Sequence, residues 1–133
     1  MAIRVLRLGS ERLPNEGLRI GTVRHPPRGV PKSEFSSGNW YDVWFPLLAP
    51  SDEAVKLAHK AGSPGEWTAF FRKYKSEMSS PDARHAIELL AALSKASDFS
   101  IGCYCEREEQ CHRSALRELL IENGALMTEK CDI

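Results

Sequence analysis

The sequence has no excess of charge of either sign, since Lys+Arg and Asp+Glu both number 18. That removes the global electrostatic pull by which basic chains gather nucleic acid or acidic lipid, although a local cluster of arginines keeps that ability. It has no apolar run approaching the ~20 residues that a bilayer-spanning helix needs. The N-terminal stretch is broken by Arg4 and Arg7, so the uninterrupted apolar centre of a signal peptide is missing. Internal repeats and low-complexity segments are absent as well. A disulfide framework is also missing. Of the four cysteines, Cys103, Cys105 and Cys111 crowd into nine positions and Cys131 stands apart, whereas a stapled secreted domain spreads its cysteines to close several loops. These absences predict a cytoplasmic protein with reduced thiols and no membrane partner.

What is present fits one folded unit. The chain is 133 residues long, 42% hydrophobic and 27% charged, which is ordinary for a single packed domain covering 1–133. Ile3 to Leu8 alternates apolar and basic residues at the period of a half-buried strand. Leu18 to Val23 reads as a second strand, ended by Pro26 and Pro27, which have no N–H to give a ladder. Trp40 to Phe45 is aromatic and β-branched and reads as a third, closed by Pro46. Ser51-Asp52-Glu53 is a helix N-cap with acidic first-turn residues, and Ala54, Leu57, Ala58 and Ala61 share the face behind it. Ser63-Pro64 and Ser80-Pro81 open two more helices. The first carries Trp67, Phe70, Phe71 and Tyr74. The second carries Ala86, Leu89, Leu90 and Leu93. Asp98 to Tyr104 is a fourth strand, followed by a polar loop, a helix from His112 to Asn123 with Leu116, Leu119 and Leu120 as its stripe, and a Gly124 cap. Ala125 to Met127 can start a last short strand. Strands separated by helices predict a single three-layer α/β domain with a mostly parallel sheet flanked by helices.

In such sheets ligands bind beyond the carboxyl ends of strands. Two segments fall there. One is Cys103-Tyr104-Cys105-Glu106, continuing to Cys111-His112-Arg113 at a helix start. A helix N-terminus offers unpaired N–H groups and partial positive charge, so it favours anions and lowers a nearby thiol's pKa. Arg113 adds a bidentate donor suited to phosphate or carboxylate, and His112 can act as acid or base near neutral pH. Cys105 and Cys111 are the candidate nucleophile or redox thiols. Three readings of the thiols stay open: core packing, an anion site with a reactive cysteine, and a metal site. Against metal, adjacent Cys111 and His112 on one helix diverge by about 100° around its axis. No cofactor is implied. A phosphatase-type loop needs five residues between cysteine and arginine, and the seven between Cys105 and Arg113 exclude that mechanism.

The other segment is Arg24-His25-Pro26-Pro27-Arg28-Gly29. Its prolines stiffen the loop, so Arg24 and Arg28 lose little entropy on binding an anion. The plain alternative is a solvated basic turn. Trp67 and its aromatic neighbours read as core, and His59 and His85 as surface residues. Function is therefore expected to need both loops over one sheet edge. They would hold a small anionic, phosphate-bearing ligand with Arg24, Arg28 and Arg113. Two alternatives come from other classes: a non-catalytic module whose basic edge touches nucleic acid or a protein, and a structural zinc protein. Oligomeric state is not encoded in any of these features.

The ordered combination resembles the DUF488 family, in its YeaO-like branch. It comprises Arg24, Pro27, Arg28 and Gly29; Trp44 with Leu48-Ala49-Pro50-Ser51; Trp67, Phe70 or Phe71, Tyr74 and Glu77; and Cys105 with Cys111-His112-Arg113. The resemblance covers about residues 3–124. It implies a compact cytoplasmic α/β domain of bacteria and archaea without a settled activity. Many members carry Asp just before the first arginine, where this chain has Val23. A reaction needing a carboxylate base or metal ligand there is disfavoured.

Overall fold

In the computed structural model, which describes residues 1–128, the alternating segment Ile3–Arg7 is strand β1, Leu18–Gly21 is β2, Val43–Trp44 is β3 and Phe99–Cys103 is β4. They form one sheet in the order β1-β4-β2-β3, and every pairing is parallel. The α/β architecture expected from the sequence is therefore present. Cys131 lies outside the described residues. Helices α1 (Asp52–Lys60), α2 (Pro64–Glu77) and α3 (Pro81–Leu93) join β3 to β4, and α4 (His112–Glu122) follows β4. Each of the first three begins at the serine that the sequence marks. Ser51 Oγ accepts from the Ala54 N–H, Ser63 Oγ from Glu66 and Ser80 Oγ from Ala83, so donors without an intrahelical partner are satisfied. Gly124 takes the left-handed φ of +85° after α4, as a C-terminal cap requires. Met127 then bridges in parallel to Ile3, beside β1.

The two faces of the sheet are covered differently. Ile3, Val5, Ile20, Phe99 and Ile101 point to one side and pack with Tyr74, Ile87, Leu90, Leu116 and Leu120 of α2, α3 and α4. Leu6, and Leu8 beyond it, point to the other side and meet Phe35, Trp40 and Tyr41, which lie on irregular chain rather than on an α-helix. Close approach there depends on glycine. A Cβ on Gly21 would come within 2.4 Å of the Tyr41 ring, and one on Gly102 within 2.7 Å of Leu8.

Two elements differ from the sequence pattern. The third strand is only Val43–Trp44, because Tyr41 is spent on packing and Asp42 on ion pairing rather than on a longer ladder. In α3 the buried stripe is Ala83, Ala86, Ile87, Leu90 and Ala91, leaving Leu89 and Leu93 exposed. Leu89 is about 200° round the helix from Ile87, so both cannot face the sheet.

Because all strands are parallel, their carboxyl ends share one rim. The chain after β1, the Thr22–Arg28 segment after β2 and the Tyr104–Cys111 segment after β4 therefore converge, with central β4 between its two neighbours.

Candidate functional site

A cleft of about 790 Å³ opens on this rim. Its walls come from the loops after β1, β2 and β4, with Val55, Ala58 and His59 of α1 along one side. The two segments singled out in the sequence both line it. They are also joined directly, since Tyr104 Oη donates to the His25 carbonyl at 2.9 Å. His25 in turn pairs with Asp52 at the start of α1, at 2.8 Å. Two loops some eighty residues apart in sequence thus form one mouth.

At the base of the mouth lie three thiols. Cys103 and Cys111 are buried with their sulfurs 2.7 Å apart, and Cys105 is exposed. The Cys105 N–H reaches Cys103 Sγ at 3.4 Å. Burial is the main cause that pushes the Cys103 thiol well up, and it pushes Cys111 up to about 11. Cys105 goes the other way. Hydrogen bonds from the Cys103 and Cys111 thiols hold its sulfur as thiolate far below the ordinary range, and Arg113 adds to the pull. Of the two candidate nucleophiles, Cys105 is the one open to the cleft and the one whose pKa is lowered.

His112 is 5% exposed, and burial lowers its pKa to about 4, so its ring is neutral at physiological pH. Thr22 Oγ1 donates its one proton to the Gly102 carbonyl at 3.1 Å and so accepts from His112 Nε2 at 3.0 Å. This network assigns the proton to Nε2. The Nδ1 lone pair then faces Cys111 Sγ at 3.5 Å and is suited to take a proton from it, not to give one.

The three arginines part company. Arg113 is buried behind the thiols; its Nη2 donates to the Cys105 carbonyl at 2.7 Å, while Nε has no hydrogen-bond partner. Burial opposes its charge, but the surrounding sulfurs outweigh that and raise its pKa. The seven-residue spacing from Cys105 still returns Arg113 to it, because the 3-10 turn Glu108–Gln110 bulges the extra residues outward. Arg24 is half-buried, and its guanidinium is occupied by the carbonyls of Pro46, Ala49 and Pro50 at 3.1–3.2 Å, so it fastens the segment before α1. Arg28 is exposed at the cleft and makes no hydrogen bond or ion pair with the described residues.

Among the described residues, Cys103, Cys111 and His112 are the ones grouped closely enough to hold a metal, with ligand atoms within 4.8 Å of one another. The divergence expected of neighbours on a helix does not arise. Cys111 is the N-cap of α4 with extended backbone, and its sulfur turns back toward the His112 ring. Yet two thiolates on a tetrahedral zinc stand about 3.8 Å apart, from Zn–S bonds of ~2.3 Å. The observed 2.7 Å is far shorter, and a buried guanidinium already supplies the positive charge. As arranged, the two sulfurs stand too close together to bracket a zinc ion.

Several contributors escaped sequence reasoning. Thr22 sets the His112 tautomer; its only signal was a polar residue in the apolar run Ile20 to Val23. Tyr104 latches the loops, and His59 faces the cleft although it reads as a plain surface histidine. Val23, where an acidic residue is common in the family resembled, is buried and presents an apolar wall to the cleft.

No curated protein and no solved structure matches the chain. A family model described as the active DUF488-N3 subclade matches residues 3–124. With nearly the whole length matched, including every loop that builds the cleft, the chain belongs to the DUF488 family.

Proposed function

We propose that this protein binds a small anionic, phosphate-bearing ligand in the rim cleft and acts on it through the Cys105 thiolate. The observation that carries the reading is the position of Cys105: exposed at the cleft, above the two buried thiols, with its N–H on Cys103 Sγ and the Arg113 charge behind it. A thiolate is the nucleophilic form of cysteine, and this one needs no separate base to generate it. Arg28 across the mouth supplies an uncommitted guanidinium for the anion. Arg24 and Arg113, expected as anion ligands, serve instead to hold the loop and to stabilise the thiolate. His112, neutral and inward-facing, keeps Cys111 in register. The apolar walls fit the remainder of a small organic ligand, as ligand clefts commonly do. Reduced thiols suit a bacterial or archaeal cytoplasm, the setting that a YeaO-like resemblance implies.

Alkylation with iodoacetamide across pH, read by peptide mass mapping, tests this. Cys105 should react readily at pH 6, Cys103 and Cys111 slowly, and inorganic phosphate or a nucleoside monophosphate should slow Cys105 alone. Uniformly slow labelling of all three would remove the nucleophile, and labelling indifferent to phosphate would remove the anion.

A further inference from the structure

Two more thiols are buried in contact beneath Cys105, and nucleophilic attack by Cys105 needs neither of them. Fully buried cysteine packs well without a second sulfur at 2.7 Å, a distance well inside van der Waals contact. A disulfide needs about 2.05 Å, so small side-chain rotations suffice to join Cys103 and Cys111. The pair sits at the end of the central strand and at the N-cap of α4, next to Cys105, the exposed thiol among the described residues.

We propose that Cys103 and Cys111 are a resolving dithiol for Cys105, closing to a disulfide when a hydroperoxide oxidises Cys105 and so returning Cys105 as a thiolate. The inference rests on Cys105 being the cleft nucleophile. In the first step its sulfur attacks the terminal oxygen of ROOH; an S–O bond forms, the O–O bond breaks, and alkoxide leaves. Cys105 is then a sulfenic acid, oxidised by two electrons, and the peroxide is reduced by two. In the second, the Cys111 sulfur attacks the Cys105 sulfur; an S–S bond forms, and hydroxide departs as water with the Cys111 proton. In the third, Cys103 attacks Cys111, the Cys105 thiolate leaves, and the Cys103 proton neutralises the alkoxide as ROH. Two thiols and one hydroperoxide give one disulfide, one alcohol and one water. An external dithiol restores the starting state by exchange. Without a resolving partner, a low-pKa exposed thiol continues irreversibly to sulfinic acid. His112 Nδ1, 3.5 Å from Cys111 Sγ, is placed to take the Cys111 proton as that sulfur attacks and to pass it on to the departing hydroxide.

The test uses the full chain carrying Cys131→Ser, so that no link forms through the one cysteine outside the described residues. Stoichiometric hydrogen peroxide is added, free thiols are alkylated, and peptides are mapped without reduction. The expected product links Cys103 to Cys111, with Cys105 still alkylable and the link removed by dithiothreitol. Added Cys105→Ser should slow formation of the link at least tenfold, because the buried pair then meets peroxide without its relay. Added Cys111→Ser should let Cys105 sulfenic acid persist, trapped by a 1,3-dione reagent. Over-oxidised Cys105 with no link, or a link formed equally fast without Cys105, overturns the proposal. Because iodoacetamide reactivity and phosphate protection are measured separately, losing the resolving step leaves the nucleophile standing. An unreactive Cys105 would instead defeat both.

Discussion

Among the described residues two guanidiniums are buried, and they are built to opposite ends. Arg19 is 0% exposed, and all its N–H groups are used. Nε and one Nη2 hydrogen meet the Glu16 carboxylate, Nη1 meets the carbonyls of Ser10 and Asn39, and Nη2 also meets Glu11. Arg113 is 3% exposed, donates to the Cys105 carbonyl and leaves Nε without a partner. The first is a saturated knot that ties the loop after β1 to β2. The second keeps unspent donor capacity beside three sulfurs. An unsatisfied buried donor is costly. Among the described residues the Nε of Arg4 and of Arg113 and the hydroxyl of Tyr41 are such donors, and Arg113 is the one of the three whose charge lies beside the thiols.

The largest expected effect breaks the first of these. Arg19→Met leaves the buried Glu16 carboxylate with only the more distant Arg12, at 3.8 Å, and several carbonyls without donors, a loss on the order of 3 kcal/mol. The thermal midpoint should fall by roughly ten degrees or more, if the variant folds at all. Arg113→Met removes one hydrogen bond and should move the midpoint only a few degrees, with Cys105 still alkylated at pH 6, because the two neighbouring thiols outweigh Arg113 in lowering its pKa. Equal thermal losses in the two variants would erase the distinction between them.

The next effect is acid sensitivity, and again two regions differ. Asp42 receives both arms of Arg12, the Arg19 backbone N–H and the Ser36 hydroxyl, and the Arg12 bonds hold its carboxyl well below the usual carboxylate range. Its contribution is complete above the unfolded value near pH 4 and is lost only as pH falls below it. His112 acts earlier. Its folded pKa of about 4 lies below the unfolded ~6.5, so as pH falls through that interval the unfolded chain takes a proton that the folded chain refuses. Stability is therefore complete above ~6.5 and declines towards pH 4, by about 3 kcal/mol. Urea midpoints at pH 7, 5.5 and 4.5 should drop steadily in the parent and stay nearly level in His112→Gln. Parallel curves would mean that the ring is not held neutral by the fold.

The contrast also marks where the sequence was legible. Serine caps, proline breaks and apolar alternation are local, so the helices and the parallel order of elements followed from them. Convergence of the two loops followed too, because parallel strands put all carboxyl ends on one rim. What stayed hidden is long-range bookkeeping of donors. Arg24 and Arg28 are four residues apart in one motif, yet only the fold shows that the first is consumed by carbonyls and the second is not. Adjacent Cys111 and His112 likewise read as diverging until the N-cap conformation turned the sulfur back. The Arg19 knot was missed altogether, since Arg19 sits in a strand pattern where an exposed basic residue is the ordinary expectation.

The smallest effect on stability carries the sharpest test of that last difference. Arg28 is exposed and has no partner among the described residues, so Arg28→Ala should leave the thermal midpoint within about a degree, as surface substitutions generally do. Its charge faces the cleft, however, and one charge-assisted contact to a phosphate is worth roughly 1.5–3 kcal/mol. The phosphate concentration that half-protects Cys105 from alkylation should therefore rise about tenfold or more, with the unprotected rate unchanged. Arg24→Ala should do the reverse: a lower midpoint, because three carbonyls lose their donor, and a protection constant altered only as far as the loop is loosened. If the two variants weaken protection equally, Arg28 is not the anion's contact, and the mouth of the cleft must be filled by a ligand of other chemistry.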